Sequence, residues 1–369
     1  MAEPAAADYA ELADRMRTLA EATLERGPEF RLLFVTNLYD GEVTDLGPDG
    51  VTNVAQYYSQ READSIIRSF QDLGVTVEAF FSEIELLKAL VRQKPSDDPR
   101  PGLVYSTAEG GSGSGRRALI PALCNLLSVP ILNSGAHASS LVRHKFHAAA
   151  VIRHVGVRTP GMWQFRDGHW VGGLSPSTGS RVIVKPNYES MGIGVDDESV
   201  QIVGSDFDAF VDERNRKFGQ PAIVQEFVSG KEVGVPVARI GSTTYALPPI
   251  VQRRSSGEDF DRRPKTFHDE HVLHDLSHAD LEAPSDQVAA IRDAAVLAFD
   301  ALDMKGVARM DFRLDADGRA WAFDTNGEPP PMPQTCWAVA MERLGFSLHE
   351  LLAVWLGICL LEYGLISGL

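Results

Sequence analysis

Residues 307–330, VARMDFRLDADGRAWAFDTNGEPP, are the stretch whose reading decides the fold. Two short runs of strand composition flank Asp317-Gly318, a dipeptide that favours a tight β-hairpin turn. Side chains alternate faces along a strand, so Arg309, Asp311 and Arg313 share one face while Met310, Phe312 and Leu314 take the other. With Asp317 and Gly318 as the central turn residues, Asp311 falls across from Asp324 and Arg309 across from Asn326. Directly opposed carboxylates destabilise a sheet by up to about 1 kcal/mol unless something neutralises them, and a hard divalent cation would do so. Asp311, Asp324 and the amide oxygen of Asn326 form an all-oxygen set that suits magnesium, with the remaining positions left to water and phosphate. Phe312, Leu314, Trp321 and Phe323 are expected to pack a core on the other face. Taken alone, the stretch reads equally as a surface hairpin whose acids meet water.

The rest of the chain bears on that choice. At 369 residues it is too long for one ordinary core, and two or three domains are expected. A composition of 44% hydrophobic and 23% charged residues belongs to a globular protein, and a formal net charge of −16 argues against nucleic acid and anionic membrane as partners. Small molecules are the expected partners. Cys124, Cys336 and Cys359 lack the spacing of a zinc or redox motif and read as reduced thiols in a cytoplasmic protein. The acidic, amphipathic N-terminus is no secretory signal, and the apolar run 351–361 is too short to span a bilayer. That run is expected to be a buried closing helix.

In chain order, residues 31–38, 75–81 and 102–107 read as strands, with helical spacing at 60–73 and 83–92 between them. This βαβαβ order predicts a small parallel sheet with right-handed crossovers. The following EGGSGSG at 109–115 lacks the lysine of a P-loop and is read as a flexible loop before a helix at 117–127. A basic helix is expected over 140–154, carrying Arg143, Lys145 and Arg153. The strand RVIVKP at 181–186 then delivers Lys185 into NYESMGIG, a loop holding Glu189, Met191 and Gly192 whose glycines could close over phosphates. Taken singly, such a lysine is ordinarily solvated. Residues 222–240 are read as the next strand, broken by the polar pair Gln225 and Glu226, with Glu232 six positions after Glu226. Residues 252–277 form a long polar stretch with five basic residues, the composition of a lid over phosphates. His268, His271, His274 and His278 within and beside it lack a zinc-ligand frame.

Lys145, Lys185 with its glycine loop, the 225–232 segment, the basic lid and the Asp311, Asp324, Asn326 set, taken in order, resemble the ATP-grasp superfamily. They look most like the D-alanine:D-alanine ligases, over residues 130–352, while the first domain matches in topology only. The resemblance implies an α/β (α+β) ATP-grasp fold of three domains. These are an N-terminal helix plus parallel βαβ domain (1–133), a central subdomain with the glycine loop (134–222), and a C-terminal subdomain with the lid (252–277) and the hairpin (223–369). ATP would lie between the central and C-terminal antiparallel sheets. Asp311, Asp324 and Asn326 would hold Mg2+, two ions in the family, with Mn2+ as a substitute. Arg309 would stabilise the oxyanion of a tetrahedral intermediate, and Lys265 of the lid would reach the terminal phosphate. Lys145 and Lys185 would contact phosphates, Glu189, Met191 and Gly192 belong to the loop above them, Gln225, Glu226 and Val228 would bind adenine, and Glu232 the ribose. A homodimer is the expected assembly.

Departures gather where substrate rather than ATP would sit. Met191 and Gly192 stand where the family carries paired serines, and Thr266 where its lid carries an aromatic. No acid motif matching the family's lies near TNLYDGEVTDL. Pro330 falls at or beside a glycine whose N–H helps hold the oxyanion, and proline has none to give. Thr335 and Cys336 occupy the region that grips the second substrate's carboxylate. The expected activity is therefore ATP-dependent ligation of an amino acid or small acid to an amine, an amino acid or peptide, through an acyl phosphate, with substrates other than two D-alanines. It would suit specialised metabolism. D-alanine:D-alanine ligation, a phosphotransferase that stops after phosphorylation, and an ATP-binding protein without turnover remain alternatives.

Overall fold

The structure, a computed structural model, describes residues 9–39, 57–92, 98–111, 113–190, 192–260 and 276–367. Helix α1 (Ala10–Arg26) leads into β1 (Arg31–Val35), α2 (Gln60–Gln71), β2 (Thr76–Phe80), α3 (Glu83–Arg92) and β3 (Gly102–Ser106). The three strands form the expected parallel sheet in the order β2-β1-β3. Every residue of β1 is buried, as a central parallel strand covered on both faces requires. Ser59 caps α2 through a reciprocal capping box with Glu62, which sets where that helix begins.

After α4 (Leu119–Leu127), the region expected as one basic helix is instead two, α5 (Ala136–Arg143) and α6 (Lys145–His154). His144 breaks the run with φ −88° and ψ 84°, and its ring nitrogen accepts the His147 N–H at 3.3 Å to cap α6. The break places Lys145 in the first turn of its own helix. Strands β4 (Met162–Arg166), β5 (His169–Trp170), β6 (Arg181–Pro186), β7 (Val200–Ile202) and β8 (Ala222–Glu226) form an antiparallel sheet in the order β5-β4-β8-β6-β7, with α7 (Phe207–Phe218) packed on it.

A second correction follows. Residues 222–240 are two strands, not one, because the chain turns after the polar Gln225-Glu226 pair and passes Gly230 at φ +147°. The second strand, β9 (Lys231–Ile240), joins a different sheet with β10 (Thr243–Ala246), β11 (Ile250–Arg254), β12 (Leu276–Asp280), β13 (Val307–Leu314) and β14 (Ala320–Asn326). Its path is β12-β11-β9-β13-β14, with β10 attached to β9. Helix α8 (Ser285–Ala301) covers one face, where Val233, Val235 and Val237 meet Met310, Phe312, Ile291 and Phe299. The other face carries Glu232, Gly234, Arg309, Asp311 and Arg313. The lid is described only at its ends, as the β11–β12 pair and the residues up to Phe260; Lys265, Thr266, His268, His271 and His274 lie outside the described residues, as do Met191 and the DGEVTDL stretch at 40–46.

The hairpin differs from its expected form in two ways that offset each other. Its loop has three residues rather than two: Asp315 and Arg319 close it, with Gly318 at φ +76° in the left-handed position such loops demand. Near the loop, Phe312 therefore faces Ala322 and Leu314 faces Ala320. A β-bulge at Phe323 then adds one residue to β14 and restores the expected pairs, Asp311 with Asp324 and Arg309 with Asn326. Trp321 and Phe323 consequently leave the core for the face of Arg313, and Ala320 and Ala322 pack in their place.

Helices α9 (Cys336–Arg343) and α10 (Leu348–Glu362) close the chain. Leu351 to Leu360 of α10 are all buried, against α1 and against the first sheet through an edge-on contact of Trp355 with Tyr105 at 5.6 Å. No single helix among the described residues is long and apolar enough to cross a membrane.

Candidate active site

The two antiparallel sheets face each other across a cleft of about 800 Å³, and the first domain closes one end of it. Apart from Met191 and Lys265, every residue assigned a role from the sequence lines this cleft. The structure therefore brings together Lys145, Lys185, Glu189, Gly192, Gln225, Glu226, Val228, Glu232, Arg309, Asp311, Asp324 and Asn326. Strand pairing explains why they converge. In one row across the C-terminal sheet, Gly234, Asp311 and Asp324 are neighbours; two residues along, Gln252, Glu232, Arg313 and Trp321 form the next.

Charge in the first row is balanced locally. Arg309 donates from two nitrogens to the two Asp311 oxygens at 2.7 and 2.8 Å. Lys145 Nζ reaches both oxygens of Asp324 at 2.6 and 2.7 Å. Burial would push the Asp324 carboxyl up, but Lys145 and Lys185 beside it hold it down to about 2. Burial pushes the Lys185 amine down to about 8, against the pull of Asp324. Its Nζ stands 5.7 Å from the centre of the Phe323 ring.

Two opposed carboxylates with an amide oxygen beside them fit a hard divalent cation by donor chemistry and by position in an open cleft. Asn326 Oδ1 accepts the Glu328 N–H at 2.9 Å, which aims the amide. Among the described residues no group of three His, Cys, Asp or Glu side chains could hold a metal, so any site of this kind needs the asparagine.

At the nucleotide end expected from the sequence, Glu226 turns its carboxylate to the Gly161 N–H at 2.7 Å. What it presents to the cleft at the bend between the sheets is therefore chiefly main chain. Gln225 is buried, its amide nitrogen 3.5 Å from the Phe323 carbonyl. Glu232 is 1% exposed and pairs with Arg313 at 3.1 Å.

Sequence reasoning missed the polar network where the first domain meets the cleft. Glu109 accepts from Arg116 at 3.2 Å and from Arg143 at 2.8 Å, and also pairs closely with Arg117. Arg117 continues to Glu328 at 3.1 Å, and Arg116 to Glu189 at 2.9 Å. Glu189, expected at the nucleotide, is thus held by Arg116 and by the Gln220 amide at 2.7 Å. Burial pushes Glu328 up to about 7 despite Arg117. The Arg116-Arg117 pair behind the glycine loop was a visible signal, but its partners Glu189 and Glu328 lie far off in sequence. Thr335 uses its hydroxyl to cap α9, accepting the Ala338 N–H at 3.2 Å and donating to the Met332 carbonyl at 2.9 Å.

A bend between two antiparallel sheets, two lysines on the central side of the cleft and an acidic hairpin on the other define an ATP-grasp enzyme. Residues 150–356 match the family model described as D-ala D-ala ligase C-terminus. A D-alanine–D-alanine ligase of Bordetella petrii is 30% identical over 226 residues, 61% of this chain and 67% of its own. An uncharacterised protein of Sinorhizobium fredii, y4sG, is 26% identical over 301 residues, 79% of this chain and 85% of its own. In fold, the D-alanine–D-alanine ligase of Bacillus anthracis, solved in complex with ATP, superposes with a TM-score of 0.61 at 15% identity, covering 90% of this chain and 98% of its own. The chain belongs to the D-alanine–D-alanine ligase family, whose members are ATP-dependent carboxylate–amine ligases.

Proposed function

We propose that this protein joins the carboxylate of an amino acid or similar small acid to the amine of another amino acid or a peptide, and that its substrates are not two D-alanines. The observation that carries the ligase chemistry is the acidic row of the hairpin, Asp311 opposite Asp324 with Asn326 beside them, set against Lys145, Lys185 and Arg309 in one cleft. Lys145 and Lys185 bring positive charge to the transferred phosphoryl group, and Arg309 to the oxyanion formed when the amine attacks the acyl phosphate. Asp311, Asp324 and Asn326 would hold Mg2+, which supplies charge neutralisation on the phosphates. Lys145 pairs with Asp324 and Arg309 with Asp311 in this arrangement, so magnesium and phosphate would take these groups over from one another on binding.

The departure from D-alanine rests on the substrate end. Pro330 offers no N–H, and the Thr335 hydroxyl is committed to capping α9. A role in specialised metabolism fits those features. D-alanine–D-alanine ligation is the second reading, favoured by what the relatives are named.

The test is ADP release with ATP and Mg2+ across D- and L-amino acids and short peptides, with products followed by mass, alongside Asp324→Ala. We expect a dehydrated adduct matched to ADP, and a rate lower by about 10²- to 10³-fold in the variant, the usual cost of losing one charge stabiliser. D-Ala-D-Ala as the dominant product would favour the second reading; ATP binding without ADP or adduct from any pair would leave a nucleotide-binding protein.

A further inference from the structure

We propose that Arg313 is a positioning residue of the nucleotide site, which aims Glu232 at the ribose hydroxyls and offers its guanidinium face as a shelf beside the nucleobase. The inference rests on the ATP-ligase reading above.

Arg313 lines the cleft although it is only 6% exposed. It stands directly across from Glu232 on the neighbouring strand and pairs with its carboxylate at 3.1 Å. The same guanidinium donates to the Gly230 carbonyl at 3.1 Å and to the Phe260 carbonyl. Its Cζ lies 5.8 Å from the Phe227 ring centre and 5.6 Å from that of Phe323. Partners on several sides thus hold one planar cation beside two rings that also line the cleft.

A buried ion pair is seldom more stabilising than apolar side chains of equal volume, so stability alone is a weak reason for an arginine here. Two features of the pair serve a nucleotide instead. The planar guanidinium stacks on π-faces, which every purine has. An ionised carboxylate has about four acceptor sites, enough to meet both Arg313 and a vicinal diol. The pairing also fixes the Glu232 rotamer before ligand arrives, which removes an ordering cost from binding. The β-bulge is part of the device, because it turns the Phe323 ring onto this face.

The experiment is calorimetric titration of the full chain with Mg-ATP and with Mg-2′-deoxy-ATP, without amino-acid substrates. Wild type should bind ATP at least about 10-fold more tightly than the deoxy form, the value of one hydrogen bond to a charged group. Arg313→Met should weaken ATP binding about 10-fold or more and bring the ATP to deoxy-ATP ratio close to unity. Arg313→Lys, which keeps the buried charge and so guards against misfolding, should retain part of the ratio but lose affinity for both nucleotides. Wild-type affinity and an unchanged ratio in both variants would overturn the inference while leaving the ligase reading intact. No binding of ATP by wild type would overturn both.

Discussion

Glu109 fastens the first domain to the cleft with a single carboxylate, 1% exposed and met by three arginines. Burial acts to raise its pKa, but Arg117, Arg143 and Arg116 outweigh that and hold it down to about 2. A folded pKa below the ordinary value of 4.5 means the contribution to stability is complete above pH 4.5 and is lost as pH falls toward 2. Glu109→Gln should lower unfolding free energy at pH 7 by about 3–5 kcal/mol, because it leaves buried arginines without their counter-charge. The difference from wild type should shrink as pH drops below 4.5. Urea unfolding of both proteins at pH 7 and pH 3.5 checks this, and equal stability at pH 7 would show that the arginines find other partners. The nearby Arg116-Arg117 pair was the one local signal of this role. Asp311 and Asp324 were legible from strand alternation and Lys145 and Lys185 from the family resemblance, whereas the partners of Glu109 come from a 3₁₀ turn and from a helix 34 residues away.

The hairpin shows what periodicity resolves within an element. Alternation identified both strands and the acidic face, since period two is a local property of extended chain. Loop length and bulge were not legible, because Asp-Gly suits a two-residue turn and equally the end of a three-residue loop. Gly318 occupies the left-handed position at φ +76°, where a Cβ would also meet the Gln287 side chain. Gly318→Ala should therefore cost about 1–2 kcal/mol. Thermal unfolding measures it, and because the loop is at the far end of the hairpin from Asp324, ADP formation below the melting range should match wild type. A large loss of activity would mean that the loop sets the register at the acidic end and that the bulge does not protect it. Similar limits explain the other two corrections: His144 and Gly230 interrupt runs whose polarity pattern alone continues through them.

Across the whole molecule, one core ties the ends of the chain together. Helix α10 is buried by α1 from the N-terminal end and by the first sheet, with Trp355 edge-on to Tyr105 and Gly357 against Leu19 and Thr23. Trp355 is 6% exposed, so Trp355→Ala should cost about 3–5 kcal/mol through lost burial and the cavity left behind. A shift of the denaturant midpoint at unchanged slope would be the expected result. A nearly unchanged midpoint would mean that the first sheet and the closing helix do not share a cooperative core. The same core presents the first-domain loop to Arg143, Glu189 and Glu328, and so bears on the end of the cleft that the first domain closes.

By itself the sequence determined the strands and helices of the first domain, its parallel sheet, and the two strands and acidic face of the hairpin. Those properties depend on residue spacing over a few turns or a few strand positions, so they can be read locally. Only the tertiary structure decided that the strand after residue 222 divides between two sheets, that Phe323 turns into the cleft, that Arg313 sits opposite Glu232, and that Glu109 gathers three arginines. Each of these is a choice of partner or register that local spacing does not fix, made by burial and charge balance between elements once they have packed.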